Sequence, residues 1–501
     1  MSKLPDFRRL RIAQSPRRPT RQAFESFDHI LVVVPAKPSA KVLQKIPHGV
    51  QLKKLLTRAG GEFVSSRLGN AKATGITLAA VTGTVPFEQL TWARRIVAEC
   101  RRDNPGSLGI FAVGLDEDRR KSVLRSVVAA AEAAAFELPS FKSRRVKQRR
   151  LSSVKLLACD RRLDLRDVRA QALGNNIARW FTALPPNKLD ARAYRQAVQE
   201  LTKQHGIAYS FLNEAKLKEL GAGAFLAVSQ GNSNRDAGVI HLRYRPEGRT
   251  APALALVGKG ILFDTGGTNL KPFKGMLDMH MDMQGSAVAL GSLVALATLE
   301  VPFAIDAWLA VTENRLSAGA YKSQDIVQAS NGTTIQVIHT DAEGRMVLAD
   351  TLALAAREHP GLMIDYATLT GTCVAALTER YSGVFSNRPA ANPLLSQAGL
   401  ASGERVWPFP MDPDFDEPLR SDVADIKQCS VSGPGDHILA ARFLSRFVPD
   451  TIPWIHIDLS AGQSKGGLAH IPTEITGFGV KLTLELLQAN DPIELARTLS
   501  V

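Results

Sequence analysis

Between Ala253 and Leu354 two dense knots of charge sit inside apolar sequence, and a chain that buries such knots must fold around them. The first is VGKGILFDTGGTNLKP, Val257 to Pro272, followed by MLDMHMDMQGS, Met276 to Ser286. The second is IHTDAEGRMVLADTL, Ile338 to Leu352. ALALV, Ala253 to Val257, is an uncharged run stopped by Gly258, the pattern of a parallel-sheet strand covered on both faces. Its end delivers Lys259 and then Asp264 into a glycine-rich turn. In DAEGR, Asp341, Glu343 and Arg345 alternate, so an extended backbone places all three on one face. Burying neighbouring carboxylates requires a compensating cation. Asp264 and Asp282 add further carboxylates, with Lys259 and Lys271 nearby. Three Asp and one Glu, with no Cys or His pair, favour divalent ions that take oxygen ligands, and four carboxylates suffice for two ions sharing ligands. Such a site activates water for hydrolysis. A solvated turn explains any one of these residues equally well. It does not explain the set, because both knots adjoin buried segments.

GKGILFDTGG, NLKP, Asp282 with Met283, and TDAEGR together resemble the signature of the leucyl aminopeptidase (cytosol aminopeptidase) family. The intervals agree as well: five residues from Lys259 to Asp264, seven to Lys271, eleven to Asp282 and fifty-nine to Asp341. The resemblance implies that Lys259, Asp264, Asp282, Asp341 and Glu343 ligate two divalent metals, zinc or manganese. Lys259 would ligate as the neutral amine, its pKa lowered by the dications. Lys271 would stabilise the oxyanion that develops on the scissile carbonyl, and Arg345 would hold a bicarbonate ion acting as general base. Met279 would line the substrate pocket, and Thr368, Leu369 and Gly371 in the turn after MIDYA would contact the peptide. The same resemblance implies a homohexamer and a leucine-type preference for the residue removed.

Composition sets the remaining limits. A chain of 501 residues is too long for one core, and 45% hydrophobic content is ordinary for a soluble enzyme. Cys100, Cys159, Cys373 and Cys429 lack CxxC spacing, which argues against a disulfide framework or zinc ribbon and fits a reducing cytoplasm. No segment approaches membrane-spanning length, and the amino terminus lacks the apolar core expected of a secretory signal. The net charge of +14 is uneven: residues 1–165 hold 32 Lys and Arg against 14 Asp and Glu, the remainder 30 against 34. The basic excess therefore belongs to the amino-terminal third.

Residues 1–22, with seven Lys or Arg and one Asp, read as a basic disordered tail; a transit peptide is the lesser reading. Over 23–165 strands (HILVVVP, ITLAAVT, LGIFAVG, SVKLLAC) alternate with helical segments (42–59, FEQLTWARRIVAECRR, DRRKSVLRSVVAAAEAAAF), which predicts a smaller α/β domain with a mostly parallel sheet. KSRRVKQRR, Lys142 to Arg150, has six basic residues in nine, a solvated loop or a phosphate contact to DNA or RNA. The resemblance implies that residues 166–501 form the larger catalytic α/β domain, with a central mixed sheet. There QGSAVALGSLVALATLE predicts a buried helix, and MVLADTLALAAREHPG an amphipathic one closed by His359 to Gly361.

The chain departs from the family pattern at several points. His339 replaces the usual Asn before TDAEGR, Lys322 to Asp325 stands for RPGD, Thr265 stands where Ser is commoner, and GPGDHILA stands for GGAITA. His339 reads as a substituted pocket residue in preference to a further ligand. Two rivals remain beside a metal-dependent aminopeptidase. One is a two-metal phosphate-ester hydrolase. The other is a nucleic-acid-binding protein whose peptidase activity is incidental or lost.

Overall fold

A computed structural model describes residues 4–7, 10–144, 149–488 and 491–499, and the chain divides into two compact units. Asp6–Ala172 with Lys465–Glu474 forms one, and Leu173–Ser464 and Ile475–Val501, together with the residues before Asp6, the other. The division falls inside the helix Arg166–Thr182. The return of 465–474 to the first unit is not visible in a linear reading, which runs the catalytic part unbroken from 166 to 501.

The first unit holds strands β1 (Arg11–Ser15), β2 (His29–Pro35), β3 (Phe63–Arg67), β4 (Gly75–Val81), β5 (Ser107–Ala112) and β6 (Ser153–Leu157), in the order β1-β6-β5-β2-β4-β3. All pairings are parallel except β3 on β4. The four apolar runs form the inner strands β2, β4, β5 and β6. The two edge strands were not anticipated, and β1 corrects the expectation of a disordered tail: Arg11 to Ser15 pair residue by residue with Ser153 to Leu157. An edge strand draws its hydrogen bonds from one neighbour and stays partly exposed, so it needs no apolar run to announce it. The helix expected over 42–59 is two, Ala40–Leu43 and Gly49–Ala59, parted near Pro47, with His48 at φ 54°. Of the basic run, residues 145–148 lie outside the described residues. Arg149 pairs with Asp28 at 3.2 Å and Arg150 with Glu137 at 2.5 Å, so part of its charge is met within the unit.

The second unit continues with β7 (Ala208–Asn213), β8 (Gly238–Tyr244), β9 (Leu254–Asp264), β10 (Ile305–Asn314), β11 (Ile326–Gln328), β12 (Thr334–Gln336), β13 (Leu362–Ala367), β14 (Ser382–Ser386), β15 (Val406–Pro408), β16 (Ile426–Lys427) and β17 (Trp454–Asp458). Eight form a mixed sheet in the order β15-β14-β17-β13-β9-β10-β8-β7. Its middle strands β17, β13, β9 and β10 are mutually parallel, with antiparallel pairings on either flank. The fold is therefore α/β with a central mixed sheet, and β9 lies where both faces are covered. The carboxyl ends of such parallel strands are where open α/β sheets bind ligands.

Two helices press on this sheet. Gln284–Thr298 is buried along nearly its whole length, and its small residues let it lie directly on the strands. A Cβ on Gly258 of β9 would come within 2.5 Å of the Ser286 Cα, and one on Gly285 within 2.0 Å of the Tyr366 carbonyl oxygen of β13. Glu343–Ala356 is buried at every position, which corrects the amphipathic reading. Its mid-helix Asp350 is not a solvent-facing residue: it accepts the N–H groups of Phe225 (2.8 Å) and Ser330 (2.6 Å), and burial pushes its pKa up to about 6. Tertiary cover on all sides decides this, since the polar residues find partners and not water. All four cysteines are buried free thiols. Among the described residues no helix is long and apolar enough to cross a membrane.

Candidate metal and substrate site

Lys259 and Asp264 stand five positions apart on β9, and strict alternation would send them to opposite faces. The pairing with β10 resolves this: Ile261 faces Thr312 but Asp264 faces Asn314, so three steps on β9 match two on β10. The extra residue is a bulge that inverts the alternation, and both side chains reach one cavity of about 430 Å³. Past the strand, Gly266 and Gly267 adopt φ 86° and 65°, and a Cβ on Gly267 would lie 2.9 Å from the Thr340 hydroxyl. This tight turn brings Lys271 back over Asp264. A short 3₁₀ turn, Met279–Met281, then presents Asp282 at the head of the buried helix.

The second knot folds differently from its expected extended form. Asp341 lies in a turn, and Glu343 opens the helix Glu343–Ala356. Residues two apart on a helix point about 200° apart, so Glu343 faces the cavity and Arg345 turns away from it. Asp264, Asp282, Asp341, Glu343, Lys259 and Lys271 all border the cavity, as do Met279, Thr368, Leu369 and Gly371. Arg345 does not line it. Its Nη2 donates to Asp436 Oδ2 at 2.7 Å and its Nη1 to the Gln428 carbonyl at 3.2 Å. Asp436 comes from GPGDHILA, one of the departures.

Two lysines knit the carboxylates together. Lys259 Nζ lies 2.8 Å from Asp282 Oδ1 and 3.0 Å from Glu343 Oε1, and it donates to the Thr368 carbonyl at 2.8 Å. Lys271 Nζ lies 2.9 Å from Asp264 Oδ2 and 2.5 Å from Asp341 Oδ1. Burial works against the Lys259 charge, but Asp282, Glu343 and Asp264 outweigh it and hold its pKa above the ordinary lysine value. The side chains alone therefore keep Lys259 an ammonium, and a neutral amine there requires dications beside it. Burial, then the Asp264 charge, pushes Glu343 up to about 8. Burial likewise pushes Asp282 and Asp341 up to about 6.

The donor set suits hard divalent ions. Carboxylate oxygens of Asp264, Asp341 and Glu343 lie within 4.8 Å of one another. Asp282 Oδ2 and Glu343 Oε2 are buried acceptors with no partner, atoms that burial would penalise unless a cation meets them.

Several residues that shape the site escaped the sequence reading. Asp458, the last residue of β17, accepts the Leu369 N–H at 3.1 Å and the Thr370 hydroxyl at 2.7 Å. It thereby holds the turn whose Thr368 hydroxyl donates to Asp282 Oδ1 at 2.7 Å. A lone Asp ending the apolar strand WIHID repeats the signal of Asp264 ending β9. Asn314 Nδ2 donates to Asp264 Oδ1 at 2.8 Å. His339 is no member of the carboxylate cluster; its Nδ1 accepts the Asp341 N–H at 3.3 Å and braces the turn. In the altered 322–325 loop, Gln324 adopts φ 76° in place of a glycine, and its N–H donates to the Val337 carbonyl at 2.7 Å.

Residues 176–484 match the catalytic domain of the cytosol aminopeptidase family. A probable cytosol aminopeptidase of Parasynechococcus marenigrum is 37% identical over 84% of this chain and 87% of its own length. One from Stutzerimonas stutzeri is 40% identical over 70% of this chain and 72% of its own. Among solved structures, a mutant of tomato leucine aminopeptidase superposes with a TM-score of 0.82 at 25% identity, covering 98% of each chain. The bottromycin maturation enzyme BotP in complex with Mn gives a TM-score of 0.80 at 27% identity over 92% of this chain and 99% of its own. A cavity ringed by carboxylates and two lysines at the ends of parallel strands, carried on that shared fold and sequence, places this chain in the cytosol aminopeptidase family as a leucyl-type aminopeptidase.

Proposed function

We propose that the chain is a two-metal-ion aminopeptidase that removes the first residue of short peptides. The observation that carries this reading is the set of buried carboxylates around one cavity, two of whose oxygens have no partner among the side chains. Lys259, Asp264, Asp282, Asp341 and Glu343 would hold the ions, manganese or zinc, which when bound polarise the scissile carbonyl and lower the pKa of the attacking water. Lys271, mostly buried and braced by Asp264 and Asp341, presents its ammonium to the oxygen on which negative charge develops. Met279, Leu369 and Gly371 border the space for the first side chain, and their apolar surface supports the leucine-type preference. The Thr368–Thr370 turn, tied to Asp458, fixes the edge along which the peptide lies. A homohexamer and a cytoplasmic location complete the reading and rest on the family resemblance.

Asp436 and the Gln428 carbonyl each take one N–H of the Arg345 terminal nitrogens, while its buried Nε has no partner among the described residues, so Asp436 would compete with a bicarbonate ion for the Nη2 edge. The wild-type rate is accordingly expected to stay flat when bicarbonate is added. Asp436→Gly frees the Nη2 edge, and its rate is expected to rise severalfold with millimolar bicarbonate. A bicarbonate-stimulated wild type would show that Asp436 yields the site.

The reaction itself is tested with aminoacyl amides and aryl phosphates. Amide cleavage should appear with added manganese or zinc and vanish on chelation, with no phosphate released. Phosphate release without amide cleavage would favour the phosphate-ester rival.

A further inference from the structure

The sheet of the first unit ends in a cavity of its own. The neighbouring parallel strands β1, β6, β5 and β2 finish on one edge. Residues that follow each of them line a space of about 410 Å³: Arg18 after β1, Lys45 after β2, Leu115 after β5 and Asp160 after β6. Small-molecule sites fall in this range, about 300–1,000 Å³. The position is also a topological switch point. The helices Ala40–Leu43 and Gly49–Ala59 that follow β2 pack with Ile30, Val32 and Val34 on one face of the sheet, whereas the helix Glu117–Ala135 that follows β5 packs with Leu31 and Val33 on the other. Adjacent strands whose connections leave on opposite faces open a crevice at their carboxyl ends, and open α/β sheets bind ligands there. The chain leaves β5 through Gly114 at φ 80°, where a Cβ would come within 2.7 Å of Val42 Cγ2 in the segment after β2.

The lining is cationic. Arg18 and Lys45 are exposed and Arg120 is half-buried. Among the described residues none of the three has a carboxylate partner. Arg120 Nη1 donates to the carbonyl of Ala158, which adopts φ 56° just past β6, at 2.9 Å. That bond orients the guanidinium and uses one of its five N–H groups. Of the two carboxylates in the lining, Glu117 lies 3.6 Å from Arg161, and Asp160 is without an ion pair among the described residues. The amino end of the helix Glu117–Ala135 is already occupied: Asp116 accepts the Arg119 N–H at 2.8 Å, and Glu117 and Asp118 fill its first turn. Attraction for an anion therefore comes from the three side chains and not from the helix dipole.

We propose that this cavity binds a small phosphate monoester carrying hydroxyl groups, of the sugar-phosphate or nucleoside-monophosphate class. Arg18, Lys45 and Arg120 receive the dianion, and Asp160 accepts a hydroxyl of the skeleton. Two flexible cations and one braced guanidinium suit a group with three outer oxygens, since hydrogen bonds between charged partners are the strong ones. A carboxylate in the same lining disfavours a bare anion and favours one that brings hydroxyl donors with it. The site gives the basic amino-terminal unit a ligand of its own, independent of the carboxylate cluster in the second unit.

Calorimetry at low salt on the manganese-loaded full chain tests this with ribose 5-phosphate, ribose and inorganic phosphate. Ribose 5-phosphate should bind several-fold more tightly than inorganic phosphate, and ribose should not bind measurably at the same concentrations. In the double variant Arg18→Gln with Lys45→Gln the affinity for ribose 5-phosphate should fall about 30-fold or more. Both side chains are exposed, so this variant should melt and cleave amides like the wild type, and its loss of binding separates the cavity from phosphate held at metal ions. Asp160→Ala should abolish the advantage of ribose 5-phosphate over inorganic phosphate. An unchanged affinity in the double variant overturns the inference, as does a wild type that fails to bind ribose 5-phosphate or binds inorganic phosphate equally well. A short DNA duplex that binds through Arg18 and Lys45 where ribose 5-phosphate does not would assign these cations to a nucleic-acid backbone and overturn it too.

Discussion

Replacing Glu343 with glutamine is expected to lower metal-dependent amide hydrolysis by about 10³-fold or more. The Glu343 carboxyl is almost wholly buried, with Oε1 at 3.0 Å from the Lys259 ammonium and Oε2 without a partner. Its pKa of about 8 in the metal-free chain means that at neutral pH a metal ion must displace a proton to bind. Metal affinity should therefore climb steeply between about pH 6 and 9 with measurable proton release, and the glutamine variant should show a weaker and flatter dependence. Stability follows the opposite sign. A carboxyl whose folded pKa is raised from 4.5 to about 8 holds a proton in the folded state that the unfolded chain has released. Its contribution to metal-free stability is full below pH 4.5 and is lost as pH rises through about 8. The metal-free wild type should thus melt several degrees lower at pH 8.5 than at pH 6, and Glu343→Gln should lose less. Calorimetry in buffers of different ionisation heat reads the protons, and thermal melts read the stability. A glutamine variant that still binds metal and turns over normally would remove Glu343 from the ligand set.

Gly285→Ala is expected to cost about 3 kcal/mol or more, at the upper end of what overpacking does to a core. The added methyl would meet the Tyr366 carbonyl oxygen at 2.0 Å and the Lys259 nitrogen at 2.9 Å, both backbone atoms of central strands. Neither can rotate aside, so the helix Gln284–Thr298 must lift off the sheet. That helix begins two residues after Asp282, so metal affinity should fall together with stability. At about 2–4 °C per kcal/mol the melting temperature should drop by roughly 10 °C. Gly433→Ala, with open space around it and no strained backbone, is the matched control and should melt like the wild type. A Gly285→Ala protein that melts normally would mean the helix does not lie on β9 and β13 at this distance.

Which chemistry the chain carries is legible in the sequence, because carboxylates and lysines set in apolar runs have few physical outcomes other than a shared cation site. The inner strands are legible for a related reason: ILVVV of β2 and ALALV are buried on both faces, so these runs are apolar at every position. The edge strands β1 and β3 are not, since half-exposed backbone pairing leaves no hydrophobic period to detect. Where each charge points was decided only by tertiary structure. Alternation along β9 would separate Lys259 from Asp264, and a single extra residue in the pairing with β10 reunites them. Alternation in DAEGR would keep Arg345 with Glu343, and the helix that opens at Glu343 turns Arg345 toward Asp436. Period and composition are local properties of a chain, whereas bulges, helix starts and the glycine contacts that seat a helix on a sheet arise from what lies across the gap.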